Sequence, residues 1–179
     1  MTDYKMIFAG FGGQGILFAG KVAAAAGLHD GKEVSWLPSY GPEMRGGTAN
    51  CSVCISSEPI GSPLVVRPNI FVAINQPSYE KFIDKVVPGG LVIYDSTLVR
   101  VEAPRTDVRT VAVPASAMAE EQELKGLANI ILLGKLLEQT GFATPEGIQG
   151  GVEQAVPPSK QHLIAANLHA IALGQGFEA

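Results

Sequence analysis

The chain has 179 residues and a formal net charge of −4, and 46% of its residues are hydrophobic. This length and composition fit one domain over residues 1–179 with its own hydrophobic core, and they argue against global disorder. The 13 basic residues form no dense cluster, so we expect no nucleic-acid partner, and no stretch approaches the roughly 18 apolar residues of a membrane span. The apolar run at 6–9 is too short for a signal peptide, so we expect a cytoplasmic protein that does not enter membranes.

Strand and helix signals alternate in the first part of the chain. Runs of apolar and β-branched residues predict strands over 4–10, 33–37, 48–56, 70–75, 91–95 and 109–113. Helices are predicted over 15–28, from Pro77, over 127–139, from Thr144, and from Ser159 to about Gly174. This order favours a Rossmann-like α/β/α sandwich of three layers with a helical C-terminal part. We expect a mainly parallel sheet, with a mixed sheet as the alternative.

A glycine-rich turn follows the first predicted strand and opens the first helix. It consists of Gly10, Phe11, Gly12, Gly13, Gln14 and Gly15. Gly10, Gly12 and Gly15 have the spacing of the dinucleotide fingerprint, in which the glycines permit a tight turn, close approach of a phosphate, and packing of the helix on the strand. The helix N-terminus would offer free N–H groups to an anion.

The turn alone leaves three interpretations open. The fingerprint requires an acidic residue at the end of the second strand to hold a ribose. Asp30 precedes that strand and Glu33 is at its start, so both would lie at its other end. The glycines could serve only a tight crossing from strand to helix, could bind a phosphate ester such as coenzyme A, or could bind NAD(P).

A second loop, over 39–47, combines residues that are common at binding sites and interfaces. Its candidate residues are Ser39, Tyr40, Glu43, Arg45, Gly46 and Gly47. In a parallel sheet this loop leaves the same edge as the glycine turn, so we expect the two to lie together near an active site or a subunit interface. The alternative is that Glu43 and Arg45 are only solvated surface charges.

Smaller groups of reactive residues favour structural roles. Cys51 and Cys54 are three apart in a predicted strand, so their thiols should point to opposite faces and share neither a metal nor a disulfide. His162 and His169 are seven apart on the predicted last helix, without a carboxylate at metal-ligand spacing, so we expect no metal site. Asp95 and Asn75 end strands at the carboxyl edge, where they could contact a ligand or cap a turn or helix.

Two motifs together carry a resemblance to a known family. A strand followed by GFGGQG and a helix, and then PSYGPEMRGGTANCSV, resembles the gamma subunit of 2-oxoacid:ferredoxin oxidoreductases, as do SPLVVRPNIFVAINQPSYEKF and GGLVIYDS. The resemblance extends from about Tyr4 to the last helix. The SYGPEMRGGTANC wording is most similar to the 2-oxoglutarate and 2-oxoisovalerate types, whereas pyruvate types tend to have a second arginine and Ala-Pro there.

The resemblance implies a multi-subunit enzyme that decarboxylates a 2-oxoacid, forms its acyl-CoA and reduces ferredoxin. It implies that other subunits hold the thiamine diphosphate, magnesium and iron–sulfur clusters, with coenzyme A as co-substrate. This chain shows no thiamine signature and only two cysteines, too few for a cluster, so we expect no catalytic residue, no firmly bound cofactor and no activity alone. Self-association is the expected alternative when the chain is isolated. The rival functions are a stand-alone NAD(P) enzyme and a CoA- or nucleotide-binding module.

Overall fold

The computed structural model describes residues 3–39 and 48–178, and six strands lie within these ranges. They are β1 (Tyr4–Phe11), β2 (Glu33–Ser39), β3 (Thr48–Ser56), β4 (Ile70–Ala73), β5 (Leu91–Asp95) and β6 (Arg109–Val113). They form one sheet in the order β2-β3-β1-β4-β5-β6. β1, β4, β5 and β6 pair in parallel, whereas β3 is antiparallel to both β1 and β2. The sheet is therefore mixed, and β2 runs in the same direction as β1 without touching it.

Six α-helices connect and follow these strands in the described residues. They are α1 (Ile16–His29), α2 (Gln76–Phe82), α3 (Ala115–Glu121), α4 (Ala128–Thr140), α5 (Pro145–Ala155) and α6 (Ile164–Gly176). The predicted stop and start signals around α4 and α5 are confirmed. Gly141 ends α4 in the left-handed conformation, and the Thr144 hydroxyl accepts a hydrogen bond from the Gly147 amide at 2.9 Å.

The prediction of one helix from Ser159 to Gly174 is wrong in its first part. A 3-10 helix spans Pro158–Leu163, with a non-helical Lys160, and α6 begins only at Ile164. Pro157 and Pro158 supply no N–H groups, which favours a separate short turn there. His162 and His169 therefore lie on two different elements, and both are exposed. The premise that they share a helix face does not hold.

Three strand ends also differ from the predictions, and in β1 the difference is one residue, because it continues to Phe11. β2 continues through Pro38 to Ser39, because it is at the edge of the sheet, where a missing N–H removes no necessary ladder bond. β4 ends at Ala73 and not at Asn75, because Asn75 leaves the sheet to cap α2. Its Oδ1 accepts a hydrogen bond from the Ser78 amide at 2.9 Å.

The sheet separates two hydrophobic clusters of unequal size. On one face, α1 and α4 contact the sheet, α5 packs on α1, α6 packs on α4, and α3 adds to the same cluster. On the other face the core is completed by α2 and irregular segments. Alternate residues of β1 show the division, since Phe8 belongs to the larger cluster and Ile7 to the smaller. The predicted three-layer α/β/α sandwich is confirmed. In the described part of the chain, no helix combines the length and apolar character needed to cross a membrane.

Candidate functional site

The carboxyl ends of β1 and β2 lie at the same edge of the sheet. Ser39 is opposite Asn50, and Asn50 is in turn opposite Ala9, so β2 ends level with Ala9, two residues before the end of β1. Thr48, where the chain re-enters the sheet, is opposite Phe11 at the start of the glycine turn. The residues that flank the second loop therefore lie at the predicted edge. Its other candidate residues are outside the described residues, namely Tyr40, Glu43, Arg45, Gly46 and Gly47.

The glycine turn has a defined conformation. Gln14 closes it twice, because its backbone amide donates to the Phe11 carbonyl at 3.2 Å and its side-chain Oε1 accepts from the Phe11 amide at 2.7 Å. Gly13 and Gly15 have φ angles of 90° and 71°, values that residues other than glycine rarely adopt. The predicted turn between β1 and α1 is thus confirmed in position and in its need for glycine.

Close contacts explain why the first and third positions of the motif, Gly10 and Gly15, have no room for a side chain. A Cβ at Gly10 would lie 2.8 Å from Cγ1 of Ile16, so this glycine lets the first turn of α1 fold over the end of β1. A Cβ at Gly15 would lie 2.5 Å from Nδ2 of Asn129, in the first turn of α4. The expected role of the third glycine in helix–strand packing is therefore wrong, because its near neighbour is a helix. No described atom lies within 4 Å of a Cβ at Gly12.

The N-terminus of α1 is open to an anion. Ala19 donates the first backbone hydrogen bond of the helix, to the Gly15 carbonyl, so the amides of residues 16–18 have no acceptor inside the helix. Among the described residues, no side chain caps this end, and its first turn contains no acidic residue. The unpaired N–H groups and the helix dipole both favour a negatively charged group here.

A cavity of about 650 Å³ adjoins the turn on its α3 and α4 side. Gly13 and Gln14 form the wall nearest the turn, and the charged lining residues are Lys125, Glu120 and Glu123. Glu123, which also lines the cavity, has a φ of 55°, the left-handed position after α3 that glycine usually occupies. The cavity is large enough for a ligand that extends beyond a single phosphate group.

Two buried asparagines hold the turn from opposite sides. Asn75 is 4% exposed, and its Nδ2 donates to Oε1 of Gln14 at 3.3 Å. Asn129 is 2% exposed, and its Nδ2 donates to the Gly15 carbonyl at 2.7 Å. Sequence reasoning singled out Asn75 but missed Asn129. The available signal was a single amide in the otherwise apolar first turn of α4, since a buried polar side chain needs a specific partner.

The surroundings of Asp95 and Cys51 indicate structural roles for both residues. The Asp95 carboxylate is fully buried and accepts hydrogen bonds from the Thr97 amide at 3.0 Å and from the amide and hydroxyl of Ser116 at 3.1 and 2.5 Å. It therefore caps a turn and the start of α3, as the structural alternative predicted.

Burial raises the pKa of the Cys51 thiol to about 12, so this cysteine is a poor nucleophile. Cys54 lies on the opposite face of β3, as expected.

The sheet order disfavours an NAD(P) site. In the dinucleotide fold the second strand lies beside the first and presents its acidic residue to the ribose. Here β3 separates β2 from β1, so the end of β2 is roughly 10 Å from that of β1. Asp30 is instead used structurally, accepting hydrogen bonds from the amide and hydroxyl of Thr144 at 2.7 and 2.6 Å. Within the described ranges, no group of three or more His, Cys, Asp or Glu residues is arranged to hold a metal ion.

Comparison with known proteins places this fold in a family. The family model described as pyruvate ferredoxin/flavodoxin oxidoreductase matches residues 5–177. Ketoisovalerate oxidoreductase subunit VorA of Methanothermobacter thermautotrophicus is 43% identical over 135 residues, which are 75% of this chain and 28% of VorA. The 2-oxoglutarate synthase subunit KorC of Methanocaldococcus jannaschii is 38% identical over 173 residues, 95% of this chain and 90% of KorC. The chain thus spans less than a third of VorA and nearly all of KorC.

Two solved structures have the same fold. The gamma subunit of a keto/oxoacid ferredoxin oxidoreductase from Geobacter sulfurreducens superposes with a TM-score of 0.82 at 30% identity, over 96% of each chain. A 2-oxoglutarate:ferredoxin oxidoreductase from Magnetococcus marinus, with 2-oxoglutarate, coenzyme A and succinyl-CoA bound, gives 0.85 at 28% identity, over 98% of this chain and 31% of that one. The chain therefore belongs to the pyruvate ferredoxin/flavodoxin oxidoreductase family, and over nearly all of its length it is similar to a gamma subunit of a keto/oxoacid ferredoxin oxidoreductase.

Proposed function

We propose that this chain completes a thiamine-dependent enzyme that oxidises 2-oxoglutarate or a branched-chain 2-oxoacid. In the proposed reaction the bond between C1 and C2 of the oxoacid breaks and CO₂ leaves. The acyl group joins the sulfur of coenzyme A, and two electrons pass to ferredoxin. The observation that carries this proposal is the similarity to KorC, a 2-oxoglutarate synthase subunit, which covers 90% of that subunit. The similarity to VorA keeps the branched-chain substrate in consideration.

The partner subunits would hold the cofactors. Thiamine diphosphate with magnesium would supply the carbanion chemistry of decarboxylation, and iron–sulfur clusters would carry the electrons. Cys51 and Cys54 are both buried and point to opposite faces of β3, so they do not fit a shared cluster. We therefore place the thiamine-binding and cluster-binding machinery in partner subunits, with ferredoxin docking on the assembled complex.

The role of this chain would be to bind part of coenzyme A. Coenzyme A carries phosphate groups. The turn of Gly10, Gly12, Gly13, Gln14 and Gly15 leads into the uncapped N-terminus of α1, and its Gly13 and Gln14 also border the cavity that Lys125 lines. The Magnetococcus enzyme, which shares this fold, binds coenzyme A. The loop of Ser39, Tyr40, Glu43, Arg45, Gly46 and Gly47 would lie near the active site or a subunit interface. Its described end, Ser39, is exposed at the same edge of the sheet.

Activity measurements on the chain and its complex test the proposed reaction. The purified chain alone should not reduce a viologen dye with 2-oxoglutarate or 2-oxoisovalerate, whether or not coenzyme A is present. The complex that copurifies with it should do so, and its activity should require coenzyme A. Oxoacid oxidation by the chain alone, or a complex indifferent to both acids, would refute the proposal.

Calorimetric titration tests the proposed site in the isolated chain. Coenzyme A and adenosine 3′,5′-bisphosphate should bind, whereas NADH should not. Lys125→Ala should weaken coenzyme A about three- to tenfold by removing a charge-assisted contact, and Lys160→Ala is the control, because Lys160 is an exposed lysine in the 3-10 helix, outside this cavity. Equal affinities for coenzyme A in the two variants would show that Lys125 does not contribute to binding.

A further inference from the structure

We infer that Asn129 and Asn75 are positioning residues that hold the glycine turn in its binding conformation before any ligand arrives. Neither asparagine lines the cavity beside the turn, and both act through residues that do or that open α1. The inference rests on the proposed anion site at this turn. It extends that site to two elements distant in sequence, the end of β4 and the start of α4.

Asn129 fixes the end of the turn where α1 begins. Its Nδ2 donates to the Gly15 carbonyl at 2.7 Å, and that same carbonyl accepts the first helical hydrogen bond, from Ala19, at 3.0 Å. The Gly15 carbonyl also determines the orientation of the Asn129 side-chain amide, since a reversed amide would place Oδ1 against the carbonyl oxygen. The Gly15 carbonyl is therefore fixed by one hydrogen bond from another helix, α4, and by one from α1 itself. This carbonyl in turn determines the direction in which the first unpaired N–H groups of α1 point.

Asn75 fixes the middle of the turn through the Gln14 side chain. Oε1 of Gln14 accepts hydrogen bonds from the Phe11 amide at 2.7 Å and from Nδ2 of Asn75 at 3.3 Å. Oδ1 of Asn75 accepts from the Ser78 amide at 2.9 Å, so the same side chain also caps α2. Gln14 is thus tied both to its own turn and to the first turn of α2.

These bonds matter for binding because a glycine-rich segment is otherwise costly to order. Glycine loses more conformational freedom than any other residue when it becomes fixed. If the turn is fixed during folding, the ligand does not lose affinity by ordering it. Removing one bracing bond should therefore weaken anion binding, even though no atom that contacts the anion is changed.

Asn167 provides a matched control for Asn129. It is also 2% exposed, its Nδ2 donates to a backbone carbonyl at 2.8 Å (that of Leu163), and its Oδ1 likewise has no partner among the described atoms. It lies on α6, which does not contribute to the glycine turn. Asn129→Ala and Asn167→Ala should lower stability by similar amounts. Only the first should alter the turn.

Asn75→Asp separates bracing from helix capping. An aspartate keeps the oxygen that caps α2 at Ser78, because Asp and Asn are equally good N-caps. It loses the N–H donor to Gln14 and brings a carboxylate against Oε1. The buried carboxylate costs some stability, but the retained α2 cap should let the variant fold, so it gives a second test if Asn129→Ala proves unstable.

The first readout needs no ligand. Backbone ¹⁵N order parameters of residues 12–15 should be near 0.8 in the free wild type and in Asn167→Ala, and should fall toward about 0.6 in Asn129→Ala and Asn75→Asp. Unchanged order parameters in both of the latter variants would overturn the inference, as would an equal fall in Asn167→Ala.

The second readout is the affinity for coenzyme A, measured well below each melting temperature. We expect about three- to tenfold weaker binding in Asn129→Ala and Asn75→Asp, and wild-type affinity in Asn167→Ala. Equal losses in Asn129→Ala and Asn167→Ala would reduce the role of Asn129 to stability and overturn the inference. Absence of binding by the wild type would refute the proposed coenzyme A site, while the order parameters would still decide whether these asparagines hold the turn.

Discussion

Gly15 combines a left-handed backbone with a neighbour that leaves no room for a side chain. Gly15→Ala would strain the φ of 71° and push against Nδ2 of Asn129. We expect a loss of about 1–3 kcal/mol in the free energy of unfolding. Gly12→Ala is the control, because the space around Gly12 is open and its φ is not in the left-handed range. Urea denaturation of both variants measures the difference, and equal stabilities would contradict the described turn.

Cys51 should make the stability of the chain depend on pH in the alkaline range. Burial raises the pKa of its thiol from 9.0 to about 12, so the unfolded chain loses this proton at lower pH than the folded chain. The contribution is fully present below pH 9 and is lost as pH rises toward 12, with a slope of at most about 1.4 kcal/mol per pH unit. Denaturation at pH 8, 9 and 10 should show a steeper decline in wild type than in Cys51→Ala. Parallel curves would contradict the assignment.

At the scale of single residues, the sequence predicts the glycine turn but not the contacts that support it. The spacing of Gly10, Gly12 and Gly15 was enough to predict a turn at a helix N-terminus. The contact between Gly15 and Asn129 joins residues 114 apart. No local pattern encodes such a contact, because it depends on where α4 begins relative to α1. The role of the third glycine was wrongly predicted for the same reason.

The helices α4 and α6 approach each other closely at a glycine of each, Gly134 and Gly174. A Cβ on Gly134 would collide with the backbone carbonyl of Ile171, and one on Gly174 with that of Ile131. Backbone cannot yield as a flexible side chain does, so Gly134→Ala should destabilise the fold by about 2–4 kcal/mol. Gly176→Ala, at the open end of α6, should be nearly neutral. Thermal melts of the two variants would test this, and similar melting temperatures would contradict it.

Predictions at the scale of elements were most accurate where local signals were strong. The apolar strand over 91–95 and the start and stop signals at Thr144 and Gly141 were confirmed. Local signals cannot give strand direction, which is why the antiparallel insertion of β3 was anticipated only as a mixed-sheet alternative. The kink at Lys160 was missed because the residues on both sides of it favour helix.

The whole chain is proposed to unfold as one domain. Both hydrophobic clusters include residues of β1 and β4, so neither can persist without the shared sheet. Trp36, the single tryptophan, lies on the edge strand β2 and reports on the part of the sheet farthest from β6. Its fluorescence and the far-ultraviolet circular dichroism should give coincident urea transitions. A fluorescence transition at lower urea would indicate that β2 and β3 form an independent unit.

We propose that this chain works as one component of a 2-oxoacid oxidoreductase. The most direct test is to isolate the chain with its partners from its source cell, identify them by mass spectrometry, and assay the assembly with 2-oxoglutarate and 2-oxoisovalerate. We expect thiamine-binding and iron–sulfur subunits in fixed ratio, and coenzyme A-dependent reduction of ferredoxin with one of these acids. Recovery of the chain alone, with tight binding of a dinucleotide, would contradict it.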